Sequence, residues 1–130
     1  MHSERYEKGL QTRREVLGND YVDKSLAAAD EFTQDIQDFA TEQAWGVVWT
    51  RPGLERKTRS LVTLAILAST NKHTELKAHT RGALRNGCSV QEIKEVFLQC
   101  AVYAGVPSGM EAFRAAQPVI AEFTDGDEAP

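Results

Sequence analysis

Only two of the 130 residues are cysteine. Cys88 and Cys100 form no CxxC pair and are too few for a disulfide framework. A reduced, cytoplasmic setting is therefore expected, and the opening Met-His-Ser-Glu-Arg-Tyr-Glu-Lys has no apolar core that would mark export. Basic excess is missing too: the formal net charge is -4, which argues against a nucleic-acid face or an anchor to anionic membranes. The longest apolar run, Leu61 to Ala68 with Thr63 inside it, falls far short of the roughly 20 residues a bilayer requires. No GxSxG, HExxH or phosphate-cradling glycine loop occurs, so hydrolase, zinc-protease and nucleotide chemistry lack support. What is present is ordinary globular composition, 42% hydrophobic and 26% charged. It predicts one domain over residues 1–123 and an acidic tail over 124–130.

Periodicity near 3.6 recurs along the chain and no alternating strand run interrupts it. Six helices are expected. Ser3 caps the first, which ends at Gly18-Asn19. The second starts near Asp30, sets Phe32, Ile36, Phe39 and Ala40 on one stripe, and continues to Trp49 before Pro52-Gly53 breaks the chain. The third covers about 54–69, and its second half is apolar on all sides, which predicts burial all round. The fourth opens near Thr74 and closes at Asn86-Gly87. Ser89 and Glu92 form a capping box for the fifth, which Gly105 ends. Pro107 starts the sixth, with Pro118 inside it. A chain this small has difficulty enclosing an all-apolar helix by itself, so copies of the chain are expected to cover part of it in a closed homo-oligomer.

Few residues can carry chemistry. Glu75 and His79, four apart, share one face of the fourth helix. A carboxylate beside an imidazole can fix the ring's tautomer and favour its protonated form, giving a proton donor or acceptor near neutrality. On spacing alone, the plainer reading is a helix-start carboxylate and a surface histidine. His73 reads as a solvated turn residue. A metal site from His73, Glu75 and His79 lacks a third matched ligand. Trp45, Trp49 and Arg51 would build a flat apolar wall with a cation at its edge, or the indoles are plain packing anchors. Arg59 precedes the apolar stretch and can point inward. Arg81 and Arg85 read as surface charges, and Glu92, Glu95, Gln99 and Tyr103 as an exposed stripe. Cys88 sits beside a helix start, which is expected to lower its pKa.

In order, Trp45-Gly46-x-x-Trp49-x-Arg51-Pro52-Gly53-Leu54, Arg59-Ser60-Leu61, Glu75-Leu76-x-x-His79, Asn86-Gly87-x-x-x-x-Glu92-Ile93-x-Glu95 and Tyr103-Ala104-Gly105-Val106-Pro107 closely resemble the carboxymuconolactone decarboxylase family, from about residue 5 to residue 122. The resemblance implies an all-α, six-helix orthogonal bundle of the alkyl hydroperoxide reductase D-like kind, assembled into trimers or hexamers. It further implies a cofactor-free lyase of protocatechuate catabolism, without a metal. Its substrate would be a small lactone polycarboxylate, 4-carboxymuconolactone, yielding 3-oxoadipate enol-lactone and carbon dioxide. His79 and Glu75 would then be catalytic, with either as the acid, while Arg51 and Arg59 hold carboxylates and Trp45, Trp49 and Tyr103 line the site. The thiol peroxidases of the wider superfamily carry a CxxC where this chain has Lys72 and Glu75, so their chemistry does not transfer. A divergent redox protein using Cys88 or Cys100 and a non-catalytic oligomeric scaffold are the competing readings.

Overall fold

The computed structural model describes residues 1–124, and the residues among them form helices and no strands. In chain order these are α1 (Glu4–Leu17), α2 (Asn19–Ala27), α3 (Gln34–Phe39), a π-helix (Ala40–Val48), α4 (Arg56–Ser69), α5 (His73–Arg85), α6 (Val90–Ala104) and α7 (Val106–Thr124). Two compact units divide the chain, Met1–Glu55 and the remainder from Arg56. All-helical architecture agrees with the sequence reading; the expected six helices become seven α-helices and a π-helix. Thr124, expected to begin the tail, is the last residue of α7, and 125–130 lie outside the described residues.

In the first unit, the Ser3 side chain caps α1 by accepting from the Tyr6 N–H at 3.1 Å. Gly18, at φ 91, ends that helix and leads directly into α2, a helix the periodicity reading did not place. The helix expected from Asp30 onward starts later. Residues 30–33 form a tight turn instead, in which the Asp30 carboxylate accepts from the Thr33 N–H and hydroxyl. Those hydrogen bonds, the backbone one foremost, hold that carboxyl below the usual carboxylate range. Beyond α3 the chain winds as a π-helix. The Trp49 N–H reaches back to the Ala44 carbonyl at 2.9 Å, five residues away, where an α-helix would use four.

This unit is held by a close crossing of α1 and the π-helix. A Cβ on Gly9 would fall on the Thr41 carbonyl oxygen and lie 2.7 Å from the Gly46 nitrogen, and one on Gly46 would fall on the Arg5 carbonyl. Glycine at both positions is thus a packing requirement. Beside the crossing, the buried Arg13 guanidinium donates to Gln37 Oε1 at 3.0 Å and Thr41 Oγ1 at 3.1 Å. Val16, Leu17 and Val22 fill the core below. The stripe of Phe32, Ile36 and Phe39 is open to solvent, with Phe32 92% exposed. Periodicity reports that a helix has an apolar face, not that the same chain covers it.

The second unit packs α4 to α7 around Leu64, Ala68, Leu76, Ala83, Ile93, Phe97, Ala112 and Ala116. Phe97 and Phe113 meet edge to face at 5.6 Å, the arrangement the ring quadrupoles prefer. α4 closes on Asn71, which takes the left-handed conformation (φ 59), while the Lys72 N–H bonds back to the Leu67 carbonyl. The capping box forms as the sequence predicts. Ser89 Oγ accepts from the Glu92 N–H at 3.0 Å and Glu92 Oε1 from the Ser89 N–H at 2.9 Å. Burial of the apolar half of α4 is incomplete. Leu64 and Ala68 are inside, whereas Val62 and Ile66 on the opposite side are 46% and 57% exposed.

Candidate active site

The first unit holds the two tryptophans. Trp45 lies in the π-helix and Trp49 just after it; both are buried, and their rings stack at 4.8 Å with 23° between planes. π-Helical segments are rare and cluster at functional sites, and no pattern of apolar residues in the sequence announces this one. Arg51 follows in the exposed turn, its N–H bonded to the Val48 carbonyl at 3.1 Å. The cation thus sits two residues past a rigid indole pair.

The second unit holds the other polar candidates. Arg59 is half-buried on α4, and its Nε is shielded from solvent. Its neighbour Ser60 is fully buried and accepts a 2.9 Å hydrogen bond from the Asn86 side chain at the end of α5. That bond ties α4 to the end of α5 at the residue after Arg59. Glu75 and His79 lie one turn apart on α5, as the spacing predicts. Glu75 is exposed in the first turn, where a carboxylate suits the helix dipole. His79 is half-buried with Nδ1 out of solvent. His73, expected in a solvated turn, is instead the first residue of α5 and half-buried.

The remaining candidates separate clearly. Tyr103, near the end of α6, is 82% exposed. Arg81 is not a bare surface charge: its guanidinium pairs with Glu122 of α7 at 2.6 Å. Glu92 is committed to the capping box and to Lys57 at 3.2 Å, and the Ser89 N–H foremost holds its carboxyl below the usual range. Among the described residues, no three His, Cys, Asp or Glu side chains gather as metal ligands. No helix there is long and apolar enough to cross a membrane.

The thiols overturn one expectation. Cys88 stands next to a helix start, yet burial, joined by the nearby Glu92 charge, pushes its thiol up to about 11. Burial outweighs the helix dipole because the thiolate would lose its water. Its Sγ donates to the Lys57 carbonyl at 3.4 Å, and the buried Cys100 donates to the Ala65 carbonyl at 3.6 Å. The thiolate is the reactive form, so Cys88, held as the thiol, is a packing residue, and Cys100 is one by its burial. Iodoacetamide at pH 7.5 is expected to label neither within the time that fully labels the urea-unfolded chain; mass spectrometry of the intact protein reads the outcome.

Within the second unit, the half-buried Arg59 on α4 and the carboxyl–imidazole pair on α5 suit an anionic organic substrate and an acid–base step. Known sequences agree. The chain is 44% identical over 120 residues to 4-carboxymuconolactone decarboxylase of Acinetobacter baylyi, covering 92% of this chain and 90% of that protein. It is equally 44% identical over 128 residues to nitrosuccinic acid decarboxylase of Metarhizium robertsii, covering 98% and 90%. The carboxymuconolactone decarboxylase family matches residues 34–118, a span holding the tryptophans, both arginines, Glu75, His79 and Tyr103. Near-full-length likeness to two decarboxylases and this family match lead to one assignment: the chain belongs to the carboxymuconolactone decarboxylase family.

Proposed function

We propose that this protein decarboxylates 4-carboxymuconolactone to 3-oxoadipate enol-lactone without a cofactor, as a step of protocatechuate catabolism in the cytoplasm. The observation that carries this reading is the 44% identity, over nine-tenths of both chains, to a relative bearing that activity's name. The leaving carboxylate is on a carbon joined through the ring alkene to the lactone carbonyl. When the carbon–carboxylate bond breaks, its electron pair moves through the alkene onto the carbonyl oxygen, and a dienolate forms. A proton then enters the carbon next to the carbonyl. The substrate is its own electron sink, so the protein has to hold two carboxylates, stabilise the enolate oxygen and supply a proton.

With a net charge of -4, the protein repels this dianion at long range, so the cations that hold it must be local. Arg51 and Arg59 take that role, because a guanidinium fork matches a carboxylate. His79 stabilises the enolate or donates the proton and Glu75 supports it; a well-placed oxyanion donor contributes about 3–4 kcal/mol. Trp45, Trp49 and Tyr103 line the site. Nitrosuccinic acid, for which the Metarhizium relative is named, is a second candidate substrate.

Copies of the chain assemble, on this reading, through the uncovered apolar faces: Val62 and Ile66 on α4, Leu98 and Val102 on α6, and Val106 and Met110 on α7. Light scattering is expected to give a mass of a trimer or hexamer. The activity is tested by following the ultraviolet absorbance of 4-carboxymuconolactone with purified protein; no loss beyond the enzyme-free rate refutes the reading. Arg51→Ala and Arg59→Ala are each expected to raise KM by about tenfold or more, the value of one hydrogen-bonded charge. An unchanged KM removes that arginine from the anion grip.

A further inference from the structure

The two named relatives are equally similar to this chain, yet the acids in their names have different skeletons. One is an unsaturated lactone; the other is an open chain with no ring, alkene or carbonyl sink. Written side by side, they share one carbon. In both acids that carbon carries the carboxylate that leaves, a carboxymethyl arm, and a group that accepts the electron pair. The first two substituents make a succinate dianion. The third is a vinylogous lactone carbonyl in one acid and a nitro group in the other.

We infer that this succinate unit is what the site recognises, so that the protein decarboxylates 2-substituted succinates whose substituent is an electron acceptor, cyclic or open-chain. The inference rests on the decarboxylase reading above and extends it from one substrate to a class. A small dianion needs a fixed cation more than a shaped ring pocket. Arg59 offers that charge from a tethered stretch of helix: it is half-buried, its Nε is out of solvent, and the Asn86–Ser60 hydrogen bond at the next residue ties α4 to α5. His79 lies seven residues before Asn86 on α5, roughly 10 Å along the axis. Carboxylate grip and proton-handling group thus stand on two helices locked together, and neither requires a lactone.

The bond changes balance for both acids, but they differ in where the proton goes. In 2-nitrosuccinate the C2–carboxylate bond breaks, its pair moves onto a nitro oxygen to form the nitronate, and carbon dioxide leaves. C2 itself then takes a proton to give 3-nitropropanoate. In the lactone the proton enters two bonds away from the carbon that lost carbon dioxide. Carbon–carbon cleavage is the shared step, and protonation is not. A nitronate persists in water and leaves unprotonated, so 2-nitrosuccinate should depend less on His79 than the lactone does.

The test measures carbon dioxide release by the purified full-length protein from 4-carboxymuconolactone and from 2-nitrosuccinate, each against an enzyme-free control. Nitroacetate, which lacks the arm, and succinate, which lacks the acceptor, are run alongside. Both acids are expected to be turned over and to compete with one another. Succinate should inhibit both with the same constant, nitroacetate should not be accelerated, and His79→Ala should slow the lactone by the larger factor. Turnover of the lactone with neither turnover nor inhibition by 2-nitrosuccinate overturns the class and leaves the lactone reading intact. Turnover of 2-nitrosuccinate alone overturns the lactone reading and the two-skeleton class with it, and turnover of neither overturns both. Acceleration of nitroacetate equal to that of 2-nitrosuccinate removes the arm from recognition.

Discussion

Replacing His79 by alanine is expected to lower kcat for 4-carboxymuconolactone by about 10²- to 10⁴-fold, the range spanned by a positioned general acid. KM should move little if the arginines, as proposed, hold the carboxylates. The substitution is also mild for folding. His79 is half-buried on the boundary of α5, whose packing rests on the fully buried Leu76 and Ala83, and alanine is the best helix former. Circular dichroism and light scattering should match the parent protein. A variant with normal turnover removes His79 from the mechanism. Glu75→Gln, at an exposed position one turn earlier, is expected to cost less if the carboxylate only supports the ring, and as much as His79→Ala if it is the acid itself. The pair of measurements divides the roles.

The second large effect is on stability. Gly46→Ala is expected to destabilise the protein by about 3 kcal/mol, the upper end of the usual overpacking range. The added methyl meets the Arg5 carbonyl, and backbone in a helix cannot swing aside as a side-chain tip would. Gly9→Ala, which drives into the Thr41 carbonyl from the other side, should cost as much. Because the two sites touch, the double variant should lose less than the sum. Urea melts of the three proteins check this. Single variants as stable as the parent would mean that α1 and the π-helix do not cross this tightly.

Sequence made the second unit largely readable. Helix bounds from α4 to α7 fall within a few residues of expectation because caps announce them: Ser89 with Glu92, Gly105, and the Asn86-Gly87 stop. Amphipathicity there is strong and its partners lie within the same unit. The first unit was less legible. α2 offers only Val22 to the core, too little for a periodic signal. The π-helix has a sequence any α-helix would accept, and its close contact with α1 at Gly9 and Gly46 is one that local pattern cannot reveal. Of the candidate site, the spacing of Glu75 and His79 and the tryptophan pair were legible because four residues make one helical turn. The buried Arg13 with its neutral partners, and the inertness of Cys88, were not. Both depend on desolvation, which only the folded chain decides.

The π-helix has one further consequence, for how this segment can vary in length. Removing a single residue from 40–48 would let the backbone relax toward ordinary α winding and change the direction in which this segment leaves α1. Trp49 and the Arg51 turn would then be re-aimed relative to α1 even though every residue type in them is unchanged. In this stretch, residue count sets where Trp49 and Arg51 stand relative to α1, and a one-residue deletion is expected to be worse for catalysis than most substitutions.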